Sequence, residues 1–368
     1  MLHRLLTKLA TAAKPSVAPL GPRKAAPLRV GLVGYGAMGR LHARVMSRHD
    51  NLVLTAVAGR NEKKPADIEQ LNLPYFASAE ALIASETIDA VLIATPHFDH
   101  PEIAAAALER NLHVLCEKPL AVTARQAAEV AAVEQSSSAI IAMVLQYRGD
   151  AGLSRIREVL NSGSLGAPVR GEIVETFPRP PEYFEESWRG TWDGEGGGVL
   201  VNQAPHLLDR YLYLFGRPDR ISAFRATRTH AIDVEDTASA LCEHTDGFHG
   251  TVFVSTSVAP WTSSVRLICE RGAIRLEDGV LTIDSVSGRQ SYNVQQQSNE
   301  TLLARLYDNF ALAADGHEEP WVGARDALSS VEFANTILLA SDTGVAQTMP
   351  PDYALVDKHF SEKLENLR

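Results

Sequence analysis

Apolar residues in the first part of this chain show two alternating patterns. Short unbroken runs occur at Leu28 to Val33, Leu52 to Ala58, Ala90 to Ala94, Leu112 to Cys116 and Ala139 to Leu145. Between them, apolar positions recur at helical spacing. Met38, Leu41, Val45 and Met46 follow the first run; Ala79 to Ser85, Pro101 to Arg110 and Thr123 to Glu134 follow later ones, with Thr123 as an N-cap. Uninterrupted apolar strands alternating with helices predict a parallel sheet covered on both faces.

After about residue 165 the pattern changes. Val169 to Phe177, Ile221 to Thr227, Thr237 to Glu243, Gly250 to Val258, Ser264 to Glu270, Ala273 to Leu276 and Val280 to Ile283 read as successive strands. They alternate apolar with polar residues and are broken by turn signals such as Thr245-Asp246-Gly247 and Glu277-Asp278-Gly279. This predicts a largely antiparallel sheet with one face on helices and the other free for a second sheet or a subunit. Val258, Trp261 and Val265 are expected to be partly exposed. Helices follow at Thr301 to Ala314 and Asp326 to Ala340. The chain divides into a basic extension (1–26), a strand–helix α/β unit (27–148) and an α+β unit (149–368).

Composition narrows the function. The chain has 368 residues, 45% of them hydrophobic, enough for two cores. A net charge of −10 argues against a nucleic-acid partner, which calls for a basic face. Residues 1–49 hold nine Lys and Arg and no acid. Leu2, Leu5, Leu6 and Leu9 share a helical face there, as in an organelle transit peptide. A basic arm or an upstream start is the alternative, so the expected location is the cytoplasm, or a mitochondrion or other organelle if 1–26 is a targeting signal. No apolar run is long enough to span a membrane. Cys116, Cys242 and Cys269 are far apart and read as reduced thiols, and no metal site is expected.

The first candidate chemistry follows the first strand: Gly34-Tyr35-Gly36-Ala37-Met38-Gly39, opening a helix. Strand, GxGxxG and helix together form a dinucleotide fingerprint. Gly34 permits the turn, Gly36 lets backbone approach a pyrophosphate, and Gly39 lets helix and strand pack closely. At the end of the second strand, where an acid would bind the ribose diol, the sequence has Gly59-Arg60. Glycine leaves room for a 2′-phosphate, and Arg60 can pair with it in a charge-assisted contact of about 1.5–3 kcal/mol. NADP is therefore expected over NAD; the alternative is that Arg60 only stacks on adenine. Lys118, in Cys116-Glu117-Lys118-Pro119-Leu120, sits at a strand end where ligands bind in such sheets, and the following Pro argues for a fixed turn.

A third stretch, from Glu195 through Gly196-Gly197-Gly198 to Asn202, His206 and Asp209, combines a glycine-rich approach with a helix. If that helix runs from Asn202 onward, Asn202, His206 and Asp209 share a face. Histidine there is a natural proton carrier. Trp188, Arg189 and Trp192 suit a sugar site, flat faces against C–H surfaces and a guanidinium on oxygens, or else anchor a loop to the core. Gln146-Tyr147-Arg148 end the last strand of the first sheet and are expected to face the cleft, with Gln146 and Arg148 as substrate contacts.

GYGAMG, the Thr95 to His100 segment TPHFDH, CEKPL and GGGVLVNQAPHLLD together resemble the glucose–fructose oxidoreductase/inositol dehydrogenase (Gfo/Idh/MocA) family, from about Leu28 to the C-terminus. The resemblance implies a Rossmann domain followed by an α+β domain with a large open sheet that pairs subunits into a homodimer or homotetramer. It implies NAD(P)-dependent oxidation of a sugar, inositol or polyol hydroxyl, with Lys118 and His206 as catalytic pair and Thr95, Pro96, His97, His100 and Glu117 along the cofactor. Many members carry Asp where this chain has Asn202, so Asn202 is assigned to substrate binding. Two other readings stay open: a hydrolase-like oxidation–elimination–reduction cycle on tightly bound NAD(P), and a cofactor-sensing regulator. Retention of both Lys118 and His206 speaks against the second.

Overall fold

Uniformly apolar strands cannot leave either face in water, and here both faces are covered. In a computed structural model describing residues 26–60, 64–186, 188–295 and 297–365, six strands pair in parallel: β1 (Leu28–Val33), β2 (Leu52–Ala58), β3 (Tyr75–Phe76), β4 (Ala90–Ile93), β5 (His113–Cys116) and β6 (Ile141–Met143). Their order is β3-β2-β1-β4-β5-β6, so the sheet grows in opposite directions from the β1–β4 pair. That reversal opens a crevice at the carboxyl ends of β1 and β4, where ligands sit in doubly wound sheets. The intervening helices are α1 (Ala37–Met46), α2 (Ala66–Glu69), α3 (Ala79–Ile83), α4 (His100–Glu109) and α5 (Ala124–Gln135). α5 starts on a capping box between Thr123 and Gln126. The targeting helix read in residues 1–26 falls, apart from Ala26, outside the described residues.

Helix α6 (Ala151–Ser162) leads to the second sheet: β7 (Pro168–Thr176), β8 (Arg220–Ala226), β9 (Thr237–Glu243), β10 (His249–Ser255), β11 (Thr262–Cys269), β12 (Gly272–Glu277), β13 (Val280–Ser285), β14 (Gly288–Asn293) and β15 (Gln347–Thr348). The order is β14-β13-β12-β11-β7-β10-β9-β8-β15, antiparallel throughout except for β7 beside β10. The fold is thus a Rossmann sheet followed by a large, mostly antiparallel open sheet. The inner face, with Ile173, Val252, Val254, Val265 and Leu267, packs in one core with Leu207, Leu208, Phe333 and Leu338 from the helices behind it. On the outer face Phe224 is 80% and Leu241 55% exposed.

Two short segments, α7 (Val199–Asn202) and α8 (Pro205–Phe215), replace the continuous helix expected from Asn202. Later helices are α9 (Asn299–Ala314), α10 (Ala324–Thr343) and α11 (Tyr353–Glu365). α9 returns to the first sheet, burying Leu303, Leu306, Tyr307 and Phe310 among Leu28, Val30, Leu32, Leu92 and Leu115. Other expectations also shift. Val265 is 1% exposed because it points inward from β11, whereas Val258 and Trp261 are exposed on the preceding loop. Met38 is exposed, and α1 buries Gly39, His42, Ala43, Val45 and Met46 instead.

Candidate active site

The glycine turn is forced by packing. Gly34 has φ +92°, and a Cβ there would stand 2.6 Å from the Ala94 carbonyl oxygen. A Cβ on Gly39 would strike the Gly34 carbonyl. Gly36 differs: its φ is ordinary, and no heavy atom lies within 4 Å of a Cβ placed there. It precedes α1, whose first N–H groups have no side-chain cap. The structure therefore offers uncapped donors behind an open approach, which suits a pyrophosphate. Tyr35 stacks on Arg40, 4.8 Å from its guanidinium to the ring centroid, while Ala37 and Met38 form the first turn of α1. The Thr95 hydroxyl, just after β4, and the Gln146 Oε1, just after β6, are buried without a partner among the described residues. Such orphaned groups are satisfied by water or a ligand, and a dinucleotide fits them. Beside the crevice, a Cβ on Gly59 would lie 2.8 Å from the Tyr75 hydroxyl, and the exposed Arg60 is ion-paired with Asp99.

At the end of β5 three residues divide the work. Cys116 is buried. Glu117 turns inward: it accepts from His42 Nε2 at 2.9 Å and from the Lys118 N–H at 3.2 Å, and His42 Nδ1 in turn meets the Tyr307 hydroxyl. Burial pushes the Glu117 carboxyl up, but the His42 hydrogen bond and the charges of His42 and Lys118 outweigh it and hold it at about 2. Glu117 is thus engaged by protein. Lys118 points to the cleft ahead of a cis bond to Pro119, and its Nζ donates to the Asn202 carbonyl at 2.6 Å. Burial lowers its pKa, against the pull of Glu117 and Glu195.

The histidines of the Thr95–His100 segment also meet protein. After Pro96, His97 is buried with Nδ1 3.2 Å from the Glu195 carbonyl, and its pKa is pushed down to about 3 by burial, then by His100 and Lys118. His100 faces the Pro119 and Thr95 carbonyls at 2.7 and 2.9 Å. Both histidines brace the loops around the crevice.

The triple glycine serves the protein itself. Gly198 lies so close to the Glu235 backbone that a Cβ would overlap its carbonyl, and Glu235 Oε1 accepts from the Gly198 and Leu200 N–H groups at 3.0 Å. This fixes α7, so Asn202 ends it beside Lys118. The chain turns at Gln203-Ala204, and His206 enters at the start of α8 with its ring edge-on to Tyr147, 4.8 Å between centroids. His206 Nδ1 is buried without a partner among the described residues. Burial first, then the Lys118 charge, push its pKa down to about 3, so the imidazole is neutral at neutral pH. Asp209 leaves this group: it holds Arg148 in two hydrogen bonds of 2.7 and 2.8 Å, with the guanidinium over Tyr213.

Several expected substrate contacts are therefore placed elsewhere. Arg148 is committed to Asp209, because the turn at Gln146–Gly149 sends successive side chains in different directions and gives the place beside His206 to Tyr147. Gln146 donates to Asn299 Oδ1 at 2.7 Å. Trp192, 3% exposed, donates to the Asp233 carbonyl at 3.1 Å and packs on Phe360, anchoring its loop to the core. Trp188 does stand at the cleft, edge-on to His97, and Arg189 lies over Tyr183 and Trp188 at 4.1 and 4.5 Å. Tyr147 is expected to face the cleft, whereas Tyr183 and Glu195 carry no individual role in the sequence reading. Only Glu195 has a local signal, an acid set between glycines. Among the described residues there is no cluster of His, Cys, Asp and Glu able to hold a metal, and no helix long and apolar enough to cross a membrane.

A family model described as "Oxidoreductase family, NAD-binding Rossmann fold" matches residues 28–145, and a GFO/IDH/MocA C-terminal domain model matches residues 153–275. The chain is 28% identical over 242 residues to the rhizopine catabolism protein MocA of Rhizobium meliloti, covering 64% of this chain and 74% of that protein. It is 28% identical over 327 residues to D-xylose 1-dehydrogenase (NADP(+)) 2 of Haloferax volcanii, covering 86% and 97%. The structure of the WlbA dehydrogenase from Bordetella pertussis, in complex with NADH and UDP-GlcNAcA, matches with a TM-score of 0.77 at 25% identity, covering 89% of this chain and all of that one.

Proposed function

The chain belongs to the Gfo/Idh/MocA family of NAD(P)-dependent oxidoreductases, and from that premise we propose that it oxidises a hydroxyl of a sugar, inositol or related polyol reversibly, with Lys118 and His206 as the acting pair and NADP as preferred cofactor. One observation carries the assignment. Lys118 Nζ is hydrogen-bonded to the carbonyl of Asn202, four residues before His206, so an ammonium from the first sheet and an imidazole from the second unit share one cleft. The nicotinamide cofactor, when bound, supplies hydride transfer; Gly36, Thr95 and Gln146 are the residues that would receive it.

In the oxidative direction the neutral His206 imidazole takes the proton of the reacting hydroxyl, and Lys118 hydrogen-bonds the same oxygen and stabilises its growing negative charge. In reduction His206 returns the proton. Asn202, Trp188, Arg189 and Tyr147 are the residues we assign to the sugar. The preference for NADP is supported by the absence of an acid at Gly59 and by Arg60, which would exchange Asp99 for a 2′-phosphate.

A panel of aldoses, inositols and polyols assayed for nicotinamide reduction with each cofactor tests the reading. His206→Ala is expected to lose about 10²- to 10⁴-fold in kcat. Wild-type turnover by that variant at saturating substrate would remove His206 from the mechanism. We also infer that the open sheet pairs two copies of the chain, supported by the exposed Phe224 and Leu241 on strands whose opposite faces are buried.

A further inference from the structure

We propose that Glu195 is a positioning residue that fixes which end of the Asn202 amide meets the substrate. This deepens the functional reading above and rests on it. Glu195 is 1% exposed and lies between glycines in the turn before α7. Its Oε2 accepts from the Gly190 N–H at 2.7 Å, and its Oε1 accepts from Asn202 Nδ2. Lys118 Nζ takes the backbone carbonyl of Asn202, and on the side chain Nδ2 also donates to Tyr183 Oη at 3.4 Å, so neither contact uses Oδ1. Asn202 Oδ1 thus meets no donor among the described residues. The amide is clamped with its acceptor free, beside Lys118 and across the Gln203-Ala204 turn from His206.

An acceptor in that position selects a hydroxyl. It would receive a hydrogen bond from a hydroxyl of the polyol next to the reacting one, and it gives nothing to a carbonyl oxygen. A neutral amide thereby does what an aspartate could not do without adding a negative charge beside the site.

The groups facing Glu195 make the clamp sensitive to pH. Arg189 and Lys118 are the nearby cations, Glu235 the nearby anion, Tyr183 a hydroxyl, and His97 a neutral ring against the Glu195 carbonyl. Burial dominates and raises the Glu195 carboxyl to about 7. When Oε1 carries the proton it becomes a donor, and Asn202 answers by turning Oδ1 inward and Nδ2 to the cleft. The cleft then presents a donor, which suits the carbonyl product. Alkaline conditions favour binding of the alcohol and acidic conditions binding of the ketone or aldehyde.

The test uses the full chain saturated with NADP, with myo-inositol and D-xylose as probes. Wild type is expected to show a KM for the alcohol that falls about five- to tenfold as pH rises through neutrality. Glu195→Gln keeps an acceptor for Gly190 and presents an amide N–H₂ to Asn202, which reverses the clamp. It should raise KM about five- to tenfold in mild alkali, flatten the pH profile, change kcat less than KM, and leave NADPH binding unchanged. In an Asn202→Ala background the same change should add nothing to KM. Glu195→Asp should restore a pH-dependent KM and decides the matter if the Gln variant does not fold. The side-chain amide signal of Asn202, followed by NMR in isotope-labelled protein, should titrate near neutrality in wild type and stay fixed in Glu195→Gln. An unchanged KM profile in Glu195→Gln, or an Asn202 amide signal indifferent to pH, overturns the proposal. Failure of wild type to oxidise either probe counts instead against the functional reading, and the amide titration still decides the Glu195–Asn202 link.

Discussion

The three glycines of the turn after β1 look equivalent in the sequence and are not equivalent in space. Gly34 and Gly39 are held by backbone contacts that no side chain survives, whereas Gly36 faces empty space with an ordinary φ. Gly36→Ala should therefore melt within a few degrees of wild type yet bind NADP(H) at least about tenfold more weakly, by fluorescence titration. Gly34→Ala should fail on stability instead. Arg60 gives a second test at this scale. Arg60→Ala should raise the KM for NADP about tenfold or more and leave that for NAD nearly unchanged, since only the 2′-phosphate contact is lost. Asp99→Asn should move the preference the other way by freeing the guanidinium. Equal effects on both cofactors would mean that Arg60 stacks on adenine. Residue types were legible in the sequence here; their partners were not, because Asp99, 39 positions away, enters only through the fold.

Elements were read well where their pattern is strongly periodic. The longer strands of both sheets and the helices α1, α3, α4 and α5 are found close to their expected positions, whereas the two-residue strands β3 and β15 and the helices α2, α6 and α11 are not among the expected elements. β14 escaped because all six of its residues are exposed, leaving no apolar alternation. The break between α7 and α8 escaped because Gly198 and Glu235, 37 positions apart, meet only through the fold. That break separates Asn202 from Asp209 and sends Asp209 to Arg148, which joins α8 to the end of the first sheet. Arg148→Ala should thus lower stability by about 3–5 kcal/mol, the cost of leaving a buried carboxylate unpaired. A substrate contact would instead raise KM with little change in unfolding free energy. α9 belongs to the first core although it follows the second sheet. Phe310→Ala should cost about 3–5 kcal/mol in denaturant unfolding.

At the scale of the whole molecule, buried histidines set the acid limit. His97 and His206 fall from an ordinary 6.5 to about 3 in the fold, and burial moves His100, His244 and His359 in the same direction. Each binds a proton more readily when unfolded, so its contribution is present above 6.5 and is lost as pH falls towards 3. Glu195 has the opposite sign: its carboxyl rises from 4.5 to about 7, and its contribution is lost as pH climbs through that window. Glu134, Glu175, Asp209 and Glu235 share the sign of Glu195, whereas Glu117, Asp236 and Asp342, each held at about 2, act with the histidines. With the large falls of His97 and His206 these set the direction, so Tm should peak near neutrality and drop in acid, and His97→Gln should make the drop shallower. A Tm unchanged between neutrality and mild acid would contradict this balance. The open sheet gives the other prediction at this scale. Phe224→Glu with Leu241→Glu should shift a dimer towards monomer in sedimentation, since two buried charges would face each other across the pairing.

By itself the sequence determined the order of the longer elements, the two kinds of sheet and the glycine turn, and it singled out Lys118 and His206 as the pair proposed to act, because periodicity and short motifs act over a few residues. Only the tertiary structure decided which polar side chains face the cleft. Arg148, Trp192, His100 and Glu117 are polar or aromatic residues near the motifs, yet each is taken by a partner distant in the chain: Asp209, Asp233, the Pro119 and Thr95 carbonyls, and His42. Tyr147 meets His206, and Tyr183 and Glu195 both meet the Asn202 amide, contacts that only the fold brings together. A buried polar group is fixed by whatever satisfies its hydrogen bonds, and those partners are set by how the two sheets and α9 close on one another.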